Sequence, residues 1–430
     1  MARQALFPGW KVVAGSGVGI AFGSLPLFAS GFGLLAAAMA RQYGWHQADV
    51  ATAATIFLLV QTLVFPLCGW PLDRWGSRTF AIANILAFAA VLALLSQIGN
   101  SLSQFYLVFA LLSFVSAGTN VVSYARAISL WFSRRRGIAL GIAASGQAVG
   151  SFLVPVLAQK GIALYGWPAA LLILAGFEAL VCMPLVALLV RDDPRPYGLL
   201  PDGETAGPQV DIAPRVDPGM AMKDVLRTAT FWKLAAAFAI MGMSFYAIAP
   251  NIVYILTKIA GMSLAEVATV QAAGGIAVLF GRVGFGLLLD RIHAPLVGVA
   301  ALALFACSCL IYVVAPVPAL VAVGAVIGGL SIGGESDLMP YLASRYFGTR
   351  AVSRIFGWFL FAFFLGATVG PVAFAQLMAS TGGAQMPLLL LVAVQIVPAA
   401  LFLSLGRYPA SAATEAPLVS RAMANSLTRP

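Results

Sequence analysis

Gly69-Trp70-Pro71-Leu72-Asp73-Arg74 is the most informative stretch of this chain, because it recurs as Gly286-Leu287-Leu288-Leu289-Asp290-Arg291 about 217 residues later. Asp49-Val50-Ala51-Thr52 likewise corresponds to Glu266-Val267-Ala268-Thr269. A third series, Gly141, Gly150 and Pro155, returns with the same spacing as Gly357, Gly366 and Pro371. Two homologous halves, each too long for a solenoid repeat, are typical of a duplicated membrane bundle.

The composition is that of a membrane protein. Of the 430 residues, 61% are hydrophobic and 9% are charged, whereas soluble domains carry about 25% charged residues. We count twelve apolar runs of about the length that a helix needs to cross a bilayer. These runs cover about residues 10–38, 47–70, 79–98, 103–131, 137–160, 167–190, 231–257, 265–288, 295–314, 317–345, 354–378 and 385–406.

Lysines and arginines are distributed unevenly over the predicted loops. Twelve spans put both termini on one side, and only Arg41, Lys160 and Lys258 then fall in loops on the other side. Because cytoplasmic loops are rich in Lys and Arg, we predict that both termini are cytoplasmic. The net charge of +10 is explained by this topology, and we expect no nucleic-acid partner.

The chain divides into four predicted segments. Residues 1–190 and 230–406 each form a six-helix half, residues 191–229 form a flexible cytoplasmic linker rich in proline, and residues 407–430 form a disordered tail. Cys68, Cys182, Cys307 and Cys309 lie inside the spans, where they are expected to pack as small residues. The spacing of histidines and cysteines predicts no metal site.

The repeated loop motif predicts a gate between the halves. Gly69 and Gly286 allow two helices to approach closely. Asp73 is placed to face the N-terminus of helix 11 near Ser353, and Asp290 that of helix 5 near Gly137, where a helix dipole favours an acid. Three arginines complete the predicted gating residues: Arg74, Arg78 and Arg291. The alternative is a solvated turn with ordinary topology charges.

Twelve spans with Gly-x-x-x-Asp-Arg after helices 2 and 8 resemble the major facilitator superfamily. Trp131-Phe132-Ser133-Arg134-Arg135-Arg136-Gly137-Ile138-Ala139-Leu140-Gly141, followed by Ala144-Ser145-Gly146, resembles its monocarboxylate porter and oxalate:formate antiporter branch. Gly44-Trp45, Gly166-Trp167 and Gly334-Glu335-Ser336-Asp337-Leu338 fit the same branch, the last resembling bacterial members. The resemblance implies an all-α fold of two pseudo-symmetric six-helix halves that rock around a central site.

Five ionisable side chains remain inside the predicted spans: Arg126, Glu178, Arg282, Glu335 and Asp337. Because a charge at mid-membrane is costly, each is a candidate functional residue. Monocarboxylate porters carry an arginine at the place of Arg282, where it is thought to hold the substrate carboxylate. A guanidinium suits that task because its planar fork binds a carboxylate with two hydrogen bonds. The alternative for Arg282 is an ion pair that only holds helices together.

Glu335 and Asp337 are the candidates for proton coupling. Two residues apart, they point about 200° apart on a helix, so one can face the cavity while the other pairs with a neighbour. Asp337 could instead pair with Arg126, whose polar stripe Thr119-Ser123-Arg126 is predicted to face the cavity. A structural ion pair is the alternative for each carboxyl.

Other polar residues are weaker candidates. Arg126, Asn120, Asn251 and Tyr254 are predicted to contact substrate, and Tyr124 and Tyr246 could do so, but each could equally hold helices together. Glu178 is expected to form a structural hydrogen bond. The chain departs from the family at three positions where a lysine or aspartate is replaced: Gly33, Val278 and Phe363. A single cavity cation makes a dicarboxylate a poorer fit than a monocarboxylate.

The sequence therefore predicts a monomeric inner-membrane transporter that takes up a small organic monocarboxylate with a proton. It is expected to need no cofactor, and its partners are the bilayer and a small organic anion. Two alternatives stay open: a carrier or exporter of a larger or neutral molecule such as a vitamin or a drug-like compound, and a non-transporting membrane sensor. An enzyme is not expected, because no nucleophile–base pair appears inside the spans.

Overall fold

The computed structural model describes residues 7–203, 219–248, 251–314 and 317–409. The middle of the predicted linker, 204–218, and the predicted tail from residue 410 onward lie outside the described residues. Within the described ranges the chain is mainly helical, and an antiparallel bridge joins Gly219 to Gly348.

Twelve segments, α1 to α12, follow one another in this part of the chain. The first six are α1 (Gly9–Ala21, Ser24–Pro26, Leu27–Gly31 and Phe32–Tyr43), α2 (Gln47–Trp75), α3 (Ser77–Leu95), α4 (Leu102–Ser116, Ala117–Thr119 and Val122–Trp131), and α5 and α6, which share Arg136–Phe177 and end with Glu178–Cys182 and Met183–Leu189. The other six are α7 (Ala229–Ile248 and Ile252–Ile259), α8 (Leu264–Arg291), α9 (Ala294–Val314), α10 (Pro318–Phe347), α11 (Val352–Thr381) and α12 (Gln385–Val394 and Ile396–Leu403).

Ten helical stretches among the described residues are long and apolar enough to cross a membrane. One of them, Arg136–Leu189, contains both α5 and α6. The two helices are separated at Gly166, where a φ of 82° interrupts the helical backbone. Breaks divide α1 into shorter pieces that do not count among the ten. The predicted set of twelve membrane helices is confirmed. We call the face of the bundle that carries residues 191–203 the linker side.

The repeated acidic residues Asp49 and Glu266 lie in the first turns of two corresponding helices, α2 and α8. The backbone N–H of His46 donates to Asp49 at 2.9 Å at the start of α2, and that of Ser263 donates to Glu266 at 2.8 Å at the start of α8. Each carboxylate satisfies a backbone donor that a helix N-terminus leaves open. The duplicated Asp49 and Glu266 therefore fix where α2 and α8 start.

Glycines set the distances between crossing helices. A Cβ on Gly137 of α5 would overlap the Gly286 carbonyl of α8, and a Cβ on Gly69 of α2 would lie 2.7 Å from the Arg354 backbone nitrogen of α11. The repeated Gly150 and Gly366 press in the same way against the carbonyls of Ala21 in α1 and Ala239 in α7. Small residues let membrane helices pack backbone to backbone, so the repeated glycines hold the duplicated crossings.

The predicted span 103–131 contains a break in α4 that the sequence pattern does not reveal. Ala117–Thr119 forms a 3-10 turn and Asn120 is extended, beside a second break at Gly23 of α1. The Ser24 backbone N–H donates to Thr119 Oγ1 at 3.0 Å, and the Asn120 amide donates to Ser24 Oγ at 3.1 Å. Side chains thus form hydrogen bonds with backbone groups that lose their helical partners at the two breaks. Such groups must be satisfied inside a membrane, where no water is present.

Both described ends of the linker rest on the bundle. The Asp202 carboxylate accepts from the backbone N–H groups of Ser133 at 3.0 Å and Arg134 at 2.7 Å, in the turn before α5. At the other end the Met220 N–H donates to the Phe347 carbonyl at 2.9 Å, and the short helix Met222–Val225 follows. Each end therefore contacts the linker-side end of a helix in its adjoining half.

Replacing Gly150 by alanine should destabilise the bundle, because the added Cβ would overlap the Ala21 carbonyl oxygen. Overpacking of about 1–3 kcal/mol predicts a melting temperature about 1–3 °C lower in detergent. Gly176→Ala in α6 is the matched control, since an added Cβ there meets no atom within 4 Å. Equal melting temperatures for the two variants would contradict this packing.

Candidate functional site

The gate motif of the first half contacts the second half through Asp73. Its carboxylate accepts from Arg354 Nε of α11 at 2.9 Å, one residue from the predicted Ser353. Arg126 Nε of α4 lies 3.9 Å from the other Asp73 oxygen. Asp73 therefore bridges α2, α4 and α11 at the linker side, and the predicted position of this carboxyl is confirmed.

The second copy of the motif uses backbone groups instead. Asp290 at the end of α8 accepts from the N–H of Gly137 at 2.6 Å and from that of Ile138 at 3.0 Å. These are the first open donors of α5, where the helix dipole also favours a negative charge. The predicted contact between Asp290 and the start of α5 is confirmed.

Two further hydrogen bonds join the halves on the linker side. Arg136 Nη1 donates to Ser344 Oγ of α10 at 3.0 Å, and Arg345 Nη2 donates to the Ser133 carbonyl at 3.2 Å. The basic run 134–136 is part of the signature that resembles the family branch, but the sequence does not indicate which residues it contacts. Together with Asp73 and Asp290, these bonds close the bundle at the linker side.

The other predicted gating arginines lie elsewhere. Arg74 is exposed, with its guanidinium 5.3 Å from the centre of the Trp70 ring, and Arg291 is exposed at the end of α8. Arg78 Nε donates to the Ala187 carbonyl at 2.9 Å, within the first half. The contacts between the halves described above thus use the aspartates and glycines of the motif, whereas its arginines are exposed or bonded within their own half.

A cluster of buried charges lies deeper between the halves. Arg282 of α8 is 6% exposed, Glu335 of α10 is 7% exposed and Asp337 is fully buried. The positive charge of Arg282 acts on both carboxyl groups, and the charge of Asp337 acts on Glu335. With a rise of 1.5 Å per residue, Arg282 lies about 13 Å inside the end of α8. The cluster therefore combines one cation with two acids at mid-membrane.

The two carboxyls of the cluster face different neighbours, as their 200° separation predicts. The charge of Glu335 acts on Tyr246 of α7. Asp337 faces α5, where a Cβ added to Gly141 would lie 3.4 Å from Asp337 Oδ2. Neither Asp337 oxygen accepts a hydrogen bond within the described part of the chain. The tight contact at Gly141 is with the Arg282 backbone, since an added Cβ would lie 2.5 Å from that carbonyl oxygen.

Arg282 also touches the first half directly. Its Nη2 donates to Gln147 Oε1 of α5 at 2.9 Å, and Gln147 is partly buried. The sequence analysis missed Gln147, because one amide in an apolar helix gives no signal without its partner. Gln147 directly follows the signature residues Ala144, Ser145 and Gly146 in the sequence.

The remaining predicted substrate ligands are scattered. Arg126 Nε lies 3.9 Å from Asp73 Oδ1, and Arg282 is the cation that acts on Asp337. A pair of Arg126 with Asp337 stays a prediction. Asn120 belongs to the hydrogen bonds between α1 and α4. Asn251 donates to the Ala247 carbonyl of its own helix at 3.1 Å, and Tyr254 is 44% exposed. Contact of these residues with substrate stays a prediction.

Glu178 of α6 is a separate buried acid. It is 3% exposed and begins the π-helix Glu178–Cys182, and its charge acts on Tyr124 of α4. These neighbours all belong to the first half, so the structure places Glu178 apart from the Arg282 cluster. A structural role for it stays a prediction.

Comparisons with known proteins agree with this architecture. The family model of the Major Facilitator Superfamily matches residues 18–371 and 242–423. Monocarboxylate transporter 12 of Xenopus laevis is 26% identical over 358 residues, which cover 78% of this chain and 76% of that protein. The riboflavin transporter RibJ of Trypanosoma cruzi is 33% identical over 142 residues, which cover 33% of this chain and 29% of RibJ.

A solved structure shows the same fold. The human organic anion transporter MFSD10 (TETRAN) superposes with a TM-score of 0.68 at 14% identity, covering 92% of this chain and 99% of that one. The family match spans both halves and every helix that carries the gate and the charged cluster. The chain belongs to the Major Facilitator Superfamily, and it is a membrane transporter rather than an enzyme.

Proposed function

We propose that this protein is a proton-coupled importer of a small organic monocarboxylate in the inner membrane, with both termini cytoplasmic. The buried cluster of Arg282, Glu335 and Asp337 between the two halves carries the proposal. The similarity to monocarboxylate transporter 12 over most of the chain supports it. The linker side would then be the cytoplasmic side, which agrees with the distribution of Lys and Arg.

Arg282 is the proposed substrate anchor. A guanidinium stays charged at any working pH and offers paired N–H donors that match a carboxylate. With a single arginine in the cluster, one carboxylate per substrate fits better than two. Since a buried charge is costly when it is not balanced, an incoming anion beside Glu335 and Asp337 binds best when one of these acids carries a proton.

The energetics of the membrane also favour a proton partner. An anion that enters alone works against about 2.3 kcal/mol per 100 mV of membrane potential, whereas an anion with one proton moves no net charge. A pH gradient then contributes about 1.4 kcal/mol per unit. Coupling to one proton therefore turns uphill uptake into downhill uptake.

A second candidate function is transport of a larger or neutral molecule. The similarity to a riboflavin transporter over 142 residues favours this alternative. Such a substrate would need hydrogen bonds and apolar contacts, and it would gain little from a buried guanidinium. Sensitivity of transport to Arg282 therefore separates the two candidates.

Substitution of Arg282 by alanine should reduce proton-driven uptake of labelled lactate and pyruvate into proteoliposomes about 10- to 100-fold, the value of a hydrogen bond to a charged group. Arg282→Lys keeps the charge and loses the fork, so it should retain only part of the uptake. Arg227→Ala, which removes an exposed arginine that precedes α7 on the linker side, is the matched control. Equal uptake by Arg282→Ala and wild type would exclude Arg282 as the anchor.

The coupling acid should be revealed by Glu335→Gln and Asp337→Asn, made one at a time. The variant that removes it should lose accumulation driven by a proton gradient, yet still exchange labelled for unlabelled substrate, since exchange needs no net proton movement. Measuring both activities in the same vesicles identifies the residue. If both variants accumulate substrate as wild type does, neither acid couples the proton.

Alternating access requires the linker side to open, and Asp290→Asn should favour that opening by removing the charge that α5 holds. Leu289 provides the reporter, because it is 1% exposed and its Cβ would lie 2.9 Å from a Cβ on Gly137. With the four native cysteines replaced by alanine, a thiol at Leu289→Cys should react faster with a water-soluble maleimide in the Asp290→Asn variant. The expected gain is about threefold, from an acid–helix interaction of about 0.3–1 kcal/mol.

The matched control for this experiment is Asp192→Asn. Asp192 accepts from the backbone N–H of Arg78 at 3.0 Å on the same side of the bundle, but within one half. Labelling that rises equally in both variants would mean general loosening rather than opening of the gate.

A further inference from the structure

The hydrogen bond from Arg282 Nη2 to Gln147 Oε1, 2.9 Å long, joins the proposed substrate anchor to the opposite half. Arg282 belongs to α8 in the second half and Gln147 to α5 in the first. The bond lies deeper than the gate contacts of Asp290, which is on the same face two turns further along α8. Any motion that separates α5 from α8 must break it.

The duplicated crossing of α2 with α11 lacks this bond. By the offset of the repeat, Phe65 corresponds to Arg282, and the Phe65 ring stacks against Phe364 of α11 at 5.3 Å. The backbone contacts are the same in both copies, because Gly141 meets the carbonyl of Arg282 and Gly357 meets that of Phe65. Packing of these crossings therefore does not require a polar pair, and the arginine and amide have a separate reason to be there.

The acceptor on Gln147 is a neutral amide oxygen, so an anionic acceptor can replace it at Arg282. A carboxylate adds the attraction of its own negative charge to the guanidinium, which the neutral amide oxygen of Gln147 lacks. A carboxylate also engages two N–H groups at once, whereas the amide oxygen takes one. A substrate carboxylate that reaches Arg282 would therefore win the competition for Nη2.

We propose that Gln147 is a positioning residue that holds Arg282 across the halves until a substrate carboxylate takes its place. Without substrate, the bond orients the guanidinium and opposes opening of the linker side. When the carboxylate displaces the amide, the central bond between α5 and α8 is lost and opening becomes easier. Binding of the substrate carboxylate to Arg282 Nη2 thus breaks the hydrogen bond that joins the two halves.

This inference rests on the proposed function for the identity of the carboxylate, but its first test needs no substrate. Gln147→Ala removes the acceptor, so the linker side should open spontaneously. Labelling of the Leu289→Cys reporter should then be about tenfold faster than in the parent, as loss of a hydrogen bond to a charged group predicts. Ser145→Ala is the matched control, because Ser145 lies in the same helix and donates to its own carbonyl at Ile142.

Gln147→Glu tests the exchange itself. A carboxylate held at this position would pair with Arg282 and, because it is tethered beside the guanidinium, outcompete a free substrate carboxylate. Lactate should accelerate labelling of the parent and have no effect on Gln147→Glu, and the KM for lactate uptake should rise in this variant. Gln147→Asn, whose shorter side chain weakens the contact, should give intermediate labelling.

Labelling of Gln147→Ala at the parental rate in the absence of substrate would overturn the inference, whatever the variant transports. Acceleration of Gln147→Glu by lactate, equal to that of the parent, would overturn it as well. The proposed function fails in a different way, through wild-type vesicles that take up no monocarboxylate. The two failures are therefore distinguishable.

Discussion

The burial of one guanidinium between the two halves constrains the rest of this structure. A charge at mid-membrane must be balanced and hydrogen-bonded, and Arg282 meets that demand with acids on α10 and an amide on α5. α5 can approach α8 at Arg282 only because Gly141 has no side chain, since a Cβ there would lie 2.5 Å from the Arg282 carbonyl oxygen. Closer to the linker side, Gly137 and Gly286 meet backbone to backbone. The glycine crossings are therefore a condition for the charged site as well as for packing.

Gene duplication explains the frame, and departures from symmetry explain the chemistry. Both copies of the gate motif place a carboxylate at the start of a helix in the other half, but Asp73 pairs with the side chain of Arg354 whereas Asp290 pairs with backbone donors. Deeper in the bundle the copies diverge completely, with Arg282 in one and Phe65 in the other. Backbone contacts tolerate such divergence because they do not depend on the side chain that each copy carries.

The parts of this structure that depend on local sequence could be predicted. Apolar runs gave the twelve helices, and the spacing of the duplicated motif gave the contact of Asp290 with the start of α5. Partners across the interface could not be predicted, because hydrogen bonds such as that of Arg282 with Gln147 depend on rotation and depth of helices far apart in the sequence. Arg126 illustrates the limit: its polar stripe pointed toward a cavity, but its carboxylate partner in the structure is Asp73. The breaks in α1 and α4 could not be predicted either, because they depend on hydrogen bonds with side chains of neighbouring helices.

The central claim is that a monoanion and one proton cross together around Arg282. The most direct test records luminal pH in proteoliposomes with a trapped pH-sensitive dye while potassium and valinomycin clamp the membrane potential. Neutral co-transport predicts luminal acidification when lactate is added outside, at a rate that does not change between clamped potentials of 0 and about −100 mV. Lactate entry without acidification, or at a rate that falls steeply at negative potential, would contradict the account.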